Sequence, residues 1–255
     1  MQIHLNSKIK YLIFASCCVV LLTVLAGFAS SKKEEKICKK VSIKIANEFN
    51  NYFISEVEVE ALLTREGVDA LEGTITEKVS LKDLETKLKT HAFVKEAQVS
   101  KDLDGNLNVY IKQNRPIARL LHANQDVYID QEGAILPLSE QFTARVVPIT
   151  KSVGSPAFTT EFLQGPLGKP YMAFLQYIEN DAFWKSQIAQ VHIDKKGRIS
   201  FLPQVGDQVI EFGKLVEIEQ KFRKLMIFYK KVLPVMGWDR YKRVNIEYQD
   251  QIICE

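Results

Sequence analysis

Hydrophobic and polar positions divide the chain into three stretches of different period. From Tyr11 to Ser31, 21 residues run without a charge, YLIFASCCVVLLTVLAGFASS. As a helix this run is about 31 Å long, close to the thickness of a bilayer's hydrocarbon core. It lacks the polar stripe of a core helix. Its Ser and Thr hydroxyls can bond back to helix carbonyls. A cleaved signal peptide is the alternative; Gly27-Phe28-Ala29 fits its small-x-small site loosely, but the apolar run is long for one. The pattern predicts one transmembrane helix over 11–31.

The second stretch alternates apolar and polar at Val41-Ser42-Ile43-Lys44-Ile45, as a half-buried strand does. Ser55 with Glu58 three residues on reads as a capping box. It opens a helix that reaches about Glu66, stops at Gly67 and turns Val59, Leu62 and Leu63 inward. Ser80 and Asp83 open a second helix with Leu81, Leu84 and Leu88 on one stripe. Two strands follow, Val94–Leu103 and Leu107–Gln113, joined by turn chemistry at Asp104-Gly105-Asn106. The order β-α-α-β-β predicts two helices on one face of a small three-stranded sheet.

From Pro116 the pattern breaks into short strands: Ala118–Leu121, Val127–Ile129, Ala134–Leu136 and Arg145–Ile149. A Gly/Pro loop (Gly154 to Pro170) leads to a helix near Tyr171–Glu179. Three strands come next, Ile188–Ile193, Arg198–Leu202 and Gln208–Phe212. A long helix over Leu215–Leu233 follows, with Leu215, Ile218, Phe222, Leu225, Tyr229 and Val232 as its core stripe. Two strands, Arg243–Tyr248 and Gln251–Cys254, flank a turn at Gln249-Asp250. The fold class is α+β: a β-α-α-β-β module, then a strand-rich domain with a long amphipathic helix.

Charge narrows the partners. The chain is +3 overall, and Lys8 and Lys10 precede Ser31 with no acid, so the remainder is nearly neutral. That is no electrostatic footprint for nucleic acid. Lysines stand on both sides of the apolar run, Lys32, Lys33, Lys36, Lys39 and Lys40 after it. A naive positive-inside count puts the following side in the cytoplasm, but long domains translocate largely regardless of charge. Charge alone leaves the topology open. Four cysteines, two of them in the apolar run, make neither a disulfide framework nor a zinc spacing. The four histidines (His4, His91, His122, His192) are scattered, and no nucleophile, phosphate-loop or dinucleotide motif is present. His192, between Val191 and Ile193, reads as an exposed or hydrogen-bonded structural residue. The sequence predicts no enzyme, no metal, no cofactor and no small-molecule substrate.

Four segments then resemble motifs of the FtsQ/DivIB family of bacterial cell-division proteins. His91-Ala92-Phe93-Val94-Lys95-Glu96-Ala97 is similar to the family's P-W-V-x-x-A, and Gln113-Asn114-Arg115-Pro116-Ile117-Ala118 to E-R-x-P-V-A. Tyr128-Ile129-Asp130-Gln131-Glu132-Gly133 is similar to Y-L-D-x-x-G, and Val244-Asn245-Ile246-Glu247-Tyr248 to V-D-L-R-Y. Asn245 and Glu247 depart from that last pattern, the second by a reversed charge. The stretch from Phe222 to Trp238 resembles Bacteroidetes versions. The first module looks like a POTRA domain.

The resemblance implies a cytoplasmic tail over 1–10, the span over 11–31 and a linker over 32–39. A POTRA-like domain over 40–115 and the family's β domain over 116–255 follow, both periplasmic. It implies a non-catalytic inner-membrane scaffold at the septum, linking early and late division proteins and helping regulate septal peptidoglycan synthesis. Its implied partners are FtsB and FtsL through the second domain, and FtsK and others through the first. A POTRA-bearing transport or outer-membrane assembly component is the alternative, disfavoured by a single module without barrel-length strands.

The partner site is expected on the last strand: Gln251, Ile252, Ile253 and Cys254, with Tyr248 and Asp250 beside it. This segment lacks the Lys or Pro that blunts an edge, and strand addition needs an open edge. The other reading is that Ile252 and Ile253 finish the core, although alternation lets only one face inward.

Overall fold

The computed structural model describes residues 11, 14–24, 37–47, 49–64, 71–121 and 125–255. Within 11–31, residues 11 and 14–24 are helical and the remainder lies outside the described set. Among the described residues no helix is long and apolar enough to cross a membrane. The helix stop expected at Glu66 and Gly67 also falls outside them.

Among the described residues the main strands form two sheets. In the first, β1 (Val41–Ala46) lies parallel to β3 (Leu107–Gln113), and β2 (Val94–Lys101) pairs antiparallel on β3's other side. Helices α1 (Glu56–Leu63) and α2 (Leu81–Leu88) supply Val59, Leu63 and Leu88 to a core with Ala97, Val99, Val109 and Ile111. Both caps form. Ser55 Oγ accepts from Glu58 N while Glu58 accepts from Ser55 N, and Ser80 Oγ accepts from Asp83 N. Strand β2 ends at Lys101, not at Leu103. Asp102 Oδ1 accepts from the amides of Asp104 (2.9 Å) and Asn106 (2.8 Å), closing a turn whose Gly105 has φ +93°. These bonds to its charged form, led by the one from the Asn106 side chain, hold the Asp102 carboxyl below its ordinary pKa.

The second sheet comprises β4 (Pro116–Leu120), β5 (Val127–Asp130), β6 (Ile135–Leu136), β7 (Val147–Lys151), β8 (Ile188–Ile193), β9 (Ile199–Pro203), β10 (Val209–Gly213), β11 (Arg243–Asn245) and β12 (Ile253–Cys254). Its spatial order is β12-β11-β10-β9-β8-β7-β4-β5-β6. Three neighbouring pairs are parallel, β4 with β7, β7 with β8 and β10 with β11, and helices cross over in the last two. Helices α3 (Thr160–Gln164), α4 (Lys169–Asn180) and α5 (Ala182–Gln187) connect β7 to β8, and α6 (Ile218–Ile227) begins the return from β10 to β11. The two crossovers pack on each other over the sheet: Phe222 of α6 lies 4.6 Å from Tyr177 and 4.9 Å from Trp184, centroid to centroid.

Three local expectations are corrected. The loop over 154–170 contains α3, capped by Thr159 Oγ1 accepting from Phe162 N (3.1 Å), and Pro170 starts α4 rather than preceding a later helix. Helix α5 was not expected; Asp181 caps it through the amides of Phe183 and Trp184, and six residues are too few for a legible period. The long helix is not one straight α-helix over 215–233. Glu217 at its start is left-handed (φ 52°), and α6 stops at Ile227. A π-turn over Phe228–Val232 leads to α7 (Leu233–Met236), with Leu233 N donating to the Phe228 carbonyl five residues back. The extra residue rotates the inner face, so Phe228 and Leu233 are buried with Phe222, Leu225 and Tyr229, while Val232 is only half-buried. His192 is hydrogen-bonded as expected, with Nδ1 3.0 Å from Thr150 Oγ1 and Nε2 3.0 Å from Ser152 Oγ.

A third, smaller core joins the two sheets. Phe53 stacks on Phe93 at 4.2 Å, and Tyr128 and Phe142 meet Phe53 edge-on at 5.9 and 4.9 Å. Gln113 clamps Phe53 N and the Asn51 carbonyl, Gln131 N donates to the Arg115 carbonyl, and Lys95 pairs with Glu132. The three motifs His91–Ala97, Gln113–Ala118 and Tyr128–Gly133 therefore converge on this joint.

Within it, buried Asp130 accepts from the amides of Glu132 (2.9 Å) and Ala134 (2.7 Å). Burial pushes its pKa above the ordinary carboxylate value, against the opposing pull of those amides. The folded state therefore holds a proton that the unfolded state has lost, so stability falls as pH rises from the ordinary value through the folded one. Asp130→Asn keeps an acceptor for both amides and carries no charge. Urea titrations across that window are expected to show this slope in the natural protein and its loss in the variant. Parallel curves would exclude the cost.

Candidate functional site

The outer edge of the second sheet is built by two short strands and the polar groups that fasten them. Strand β11 runs parallel to β10, pairing Val209 with Arg243 and Ile210 with Val244, and β12 runs antiparallel to β11, pairing Val244 with Cys254 and Asn245 with Ile253. Arg243 and Glu255 exchange both main-chain bonds, at 3.1 and 2.9 Å. In an antiparallel ladder such pairs alternate with pairs that make none. Cys254, the next residue, therefore directs its N–H and C=O away from β11. Among the described residues no strand lies on that side.

The strands are shorter than the sequence pattern suggests, for a local reason. Beyond Asn245 the chain leaves the ladder, because Asn245 Oδ1 accepts from Glu247 N (2.9 Å). The Lys224 ammonium, from α6, holds the Tyr248 carbonyl and reaches that of Gln249 at 3.4 Å. Burial lowers the Lys224 pKa, and the Asp250 carboxylate nearby opposes that shift. Tyr248, half exposed, and exposed Asp250 thus sit on a fastened turn rather than in a strand. Gln251 is exposed before the strand begins. Ile252 and Cys254 pack against the large core while Ile253 faces out, the alternation expected of an edge with one buried face.

Sequence reasoning missed the supports beneath this edge. Lys221, on the buried side of α6, is 3 % exposed. Its ammonium donates to the carbonyls of Phe212 (3.0 Å) and Lys214 (2.7 Å) where β10 ends. Burial lowers its pKa, and Glu247 is the first of the charges that oppose the shift. The Glu247 side chain lies over Gly213, where a Cβ would meet its Cγ and Cδ at 2.4 Å. Glu247, one of the two residues that depart from the family pattern, thus packs over the glycine that ends β10. Glu211, beside Gly213 and Glu247, accepts from Arg243 Nε (3.1 Å) and Asn245 Nδ2 (2.8 Å), locking β11 to β10. One signal was legible: Lys221 and Leu225 lie four residues apart, which puts the lysine on the apolar stripe.

The arrangement offers main-chain pairing and an apolar strip, with no reactive constellation. Among the described residues no group of three or more His, Cys, Asp or Glu is placed to hold a metal ion. The family described as FtsQ/DivIB, C-terminal related, matches residues 115–255, more than half of the chain. The chain belongs to the FtsQ/DivIB family. Residues 36–112 match a POTRA-like domain, the extent of the three-stranded sheet with its helices. No curated protein gives a significant match to this FtsQ/DivIB-family chain. Membership of the family implies a scaffold role in cell division.

Proposed function

We propose that this FtsQ/DivIB-family protein is a single-pass inner-membrane scaffold of the division septum that binds its partner by strand addition to β12. The span over 11–31 anchors it, residues 1–10 are cytoplasmic, and the two domains stand in the periplasm. The observation that carries this reading is the open edge at Cys254, whose outward N–H and C=O can pair with an incoming strand while half-exposed Ile253 offers a side-chain contact. FtsB, with FtsL, is the partner at β12, and FtsK is a partner of the POTRA-like domain. Through these contacts the scaffold links early and late division proteins and helps regulate septal peptidoglycan synthesis.

Co-purification of the full chain in mild detergent with FtsB and FtsL from the same organism tests the partner assignment. Both should be retained through washing, and depletion of the protein should give filaments blocked at constriction. Failure of the pair to co-purify, with normal septation after depletion, would refute it. Protease accessibility on spheroplasts tests the topology: a fully protected large domain would place it in the cytoplasm.

A further inference from the structure

Leu233 is buried, yet the five residues after it, Pro234, Val235, Met236, Gly237 and Trp238, are all exposed, Val235 at 80 %. A run of exposed apolar residues this long is not an ordinary solvated surface. The tip is a built feature. The π-turn bond from Leu233 N to the Phe228 carbonyl sets its base, and Gly237, at φ +96°, turns the chain. The Trp238 ring rests 5.9 Å from buried Tyr229, centroid to centroid, and half-exposed Phe183 meets the Tyr229 ring at 6.0 Å.

The charge around this tip is net positive. Residues 230–242 hold Lys230, Lys231, Arg240 and Lys242 against the single acid Asp239, so they match the whole chain's excess of +3. Lys230, Lys231 and Arg240 make no ion pair among the described residues. Lys242 stands 4.0 Å from Asp207, with both side chains exposed. The chain leads from the tip to the partner edge within four residues, where Lys242 N donates to the Glu255 carbonyl at 2.6 Å, one residue beyond β12.

We infer that this tip is a second docking surface for the protein that adds a strand to β12. The partner segment that reaches it carries acidic side chains for Lys230, Lys231 and Arg240, and an apolar one to cover Val235 and Trp238. The inference rests on the β12 reading, because the main-chain link from Lys242 to Glu255 makes the tip the natural continuation of a strand laid on Cys254. Charge complementarity supplies the acidic character, and the bare apolar run supplies the anchor. A lipid surface is the other class of occupant for a cationic apolar tip. Continuity with the strand edge favours a protein.

The test uses the full chain in nanodiscs and the FtsB–FtsL pair as the probe, with affinity measured at low and high salt. A Lys230→Glu/Lys231→Glu/Arg240→Glu variant should bind about tenfold more weakly at low salt and lose most of the salt dependence, because screened pairs contribute only at low ionic strength. Val235→Asp, at a side chain that contacts little, should weaken binding without changing Tm. A photo-crosslinking residue at position 235 should join to FtsB or FtsL. Affinity within about twofold of the natural protein in both variants, with an unchanged salt slope, would overturn the inference. Crosslinking only to lipid would overturn it too and assign the tip to the membrane. Cys254→Pro separates the two readings. If it weakens binding while the tip variants do not, the edge stands and the tip falls. If it changes nothing, the edge reading fails and takes the inference with it.

Discussion

Replacing Cys254 by proline is expected to weaken partner binding by tenfold or more, the order of magnitude of losing a main-chain hydrogen bond and admitting a ring into the docking path. Proline deletes the amide that faces away from β11, so the ladder bonds of Arg243 with Glu255 remain. Stability should change little, as proline is tolerated where the edge N–H faces solvent. Ile253→Pro supplies the contrast. Its amide belongs to the pair with Asn245, so that variant should loosen β12 itself. Ile252 is not a suitable probe, because it precedes the strand and packs against the core. Isothermal titration with purified partner and a thermal melt of each variant decide the matter. Unchanged affinity in a folded Cys254→Pro protein would move the site off this edge.

Phe222→Ala is expected to cost about 3–5 kcal/mol, a large part of the stability of an ordinary domain. Phe222 is fully buried at the point where both crossovers meet the sheet, with Tyr177, Trp184, Phe212 and Phe174 at ring distances of 4.6, 4.9, 5.1 and 5.7 Å. Neighbours fixed by three different elements, α4, α5 and β10, cannot collapse into the space, so a cavity term adds to the lost burial. The partner edge should go with it, because β11 is reached only through the helix that Phe222 anchors. Ile227→Ala, at a half-exposed position of α6, should shift stability by less than about 0.5 kcal/mol. Urea unfolding followed by tryptophan emission reads both. A Phe222→Ala midpoint near the natural one would mean that the crossover packing contributes little.

Much of the first domain was legible because its signals are local. A capping box spans four residues, and Ser55 with Glu58 forms one whatever follows. Asp102 ended β2 earlier than expected by the same kind of local bond, a turn made by one carboxylate and two amides. Parts of the second domain were not legible. Helix α5 has no room for a period, and a π-turn is invisible to a stripe counted at 3.6 residues per turn. The family motifs were readable as patterns, but not their meeting place. Residues 91–97, 113–118 and 128–133 meet around Phe53, which belongs to none of them, stacks on Phe93 and meets Tyr128 edge-on.

For the functional edge, the sequence by itself determined which side chains can alternate and that no lysine or proline protects them. Those properties live in Gln251–Cys254 and need no partner to be read. Only the tertiary structure decided that β12 is outermost and that Cys254 is the residue with free main-chain groups. It also decided that Lys221 is buried beneath the edge and that residues 234–238 stand exposed beside it. Each depends on the parallel pairing of β10 with β11, made across a crossover of some 30 residues. That register is set by packing between Phe222, the sheet and the first crossover. Packing of that kind leaves no local trace, because its contacts join residues far apart in the chain.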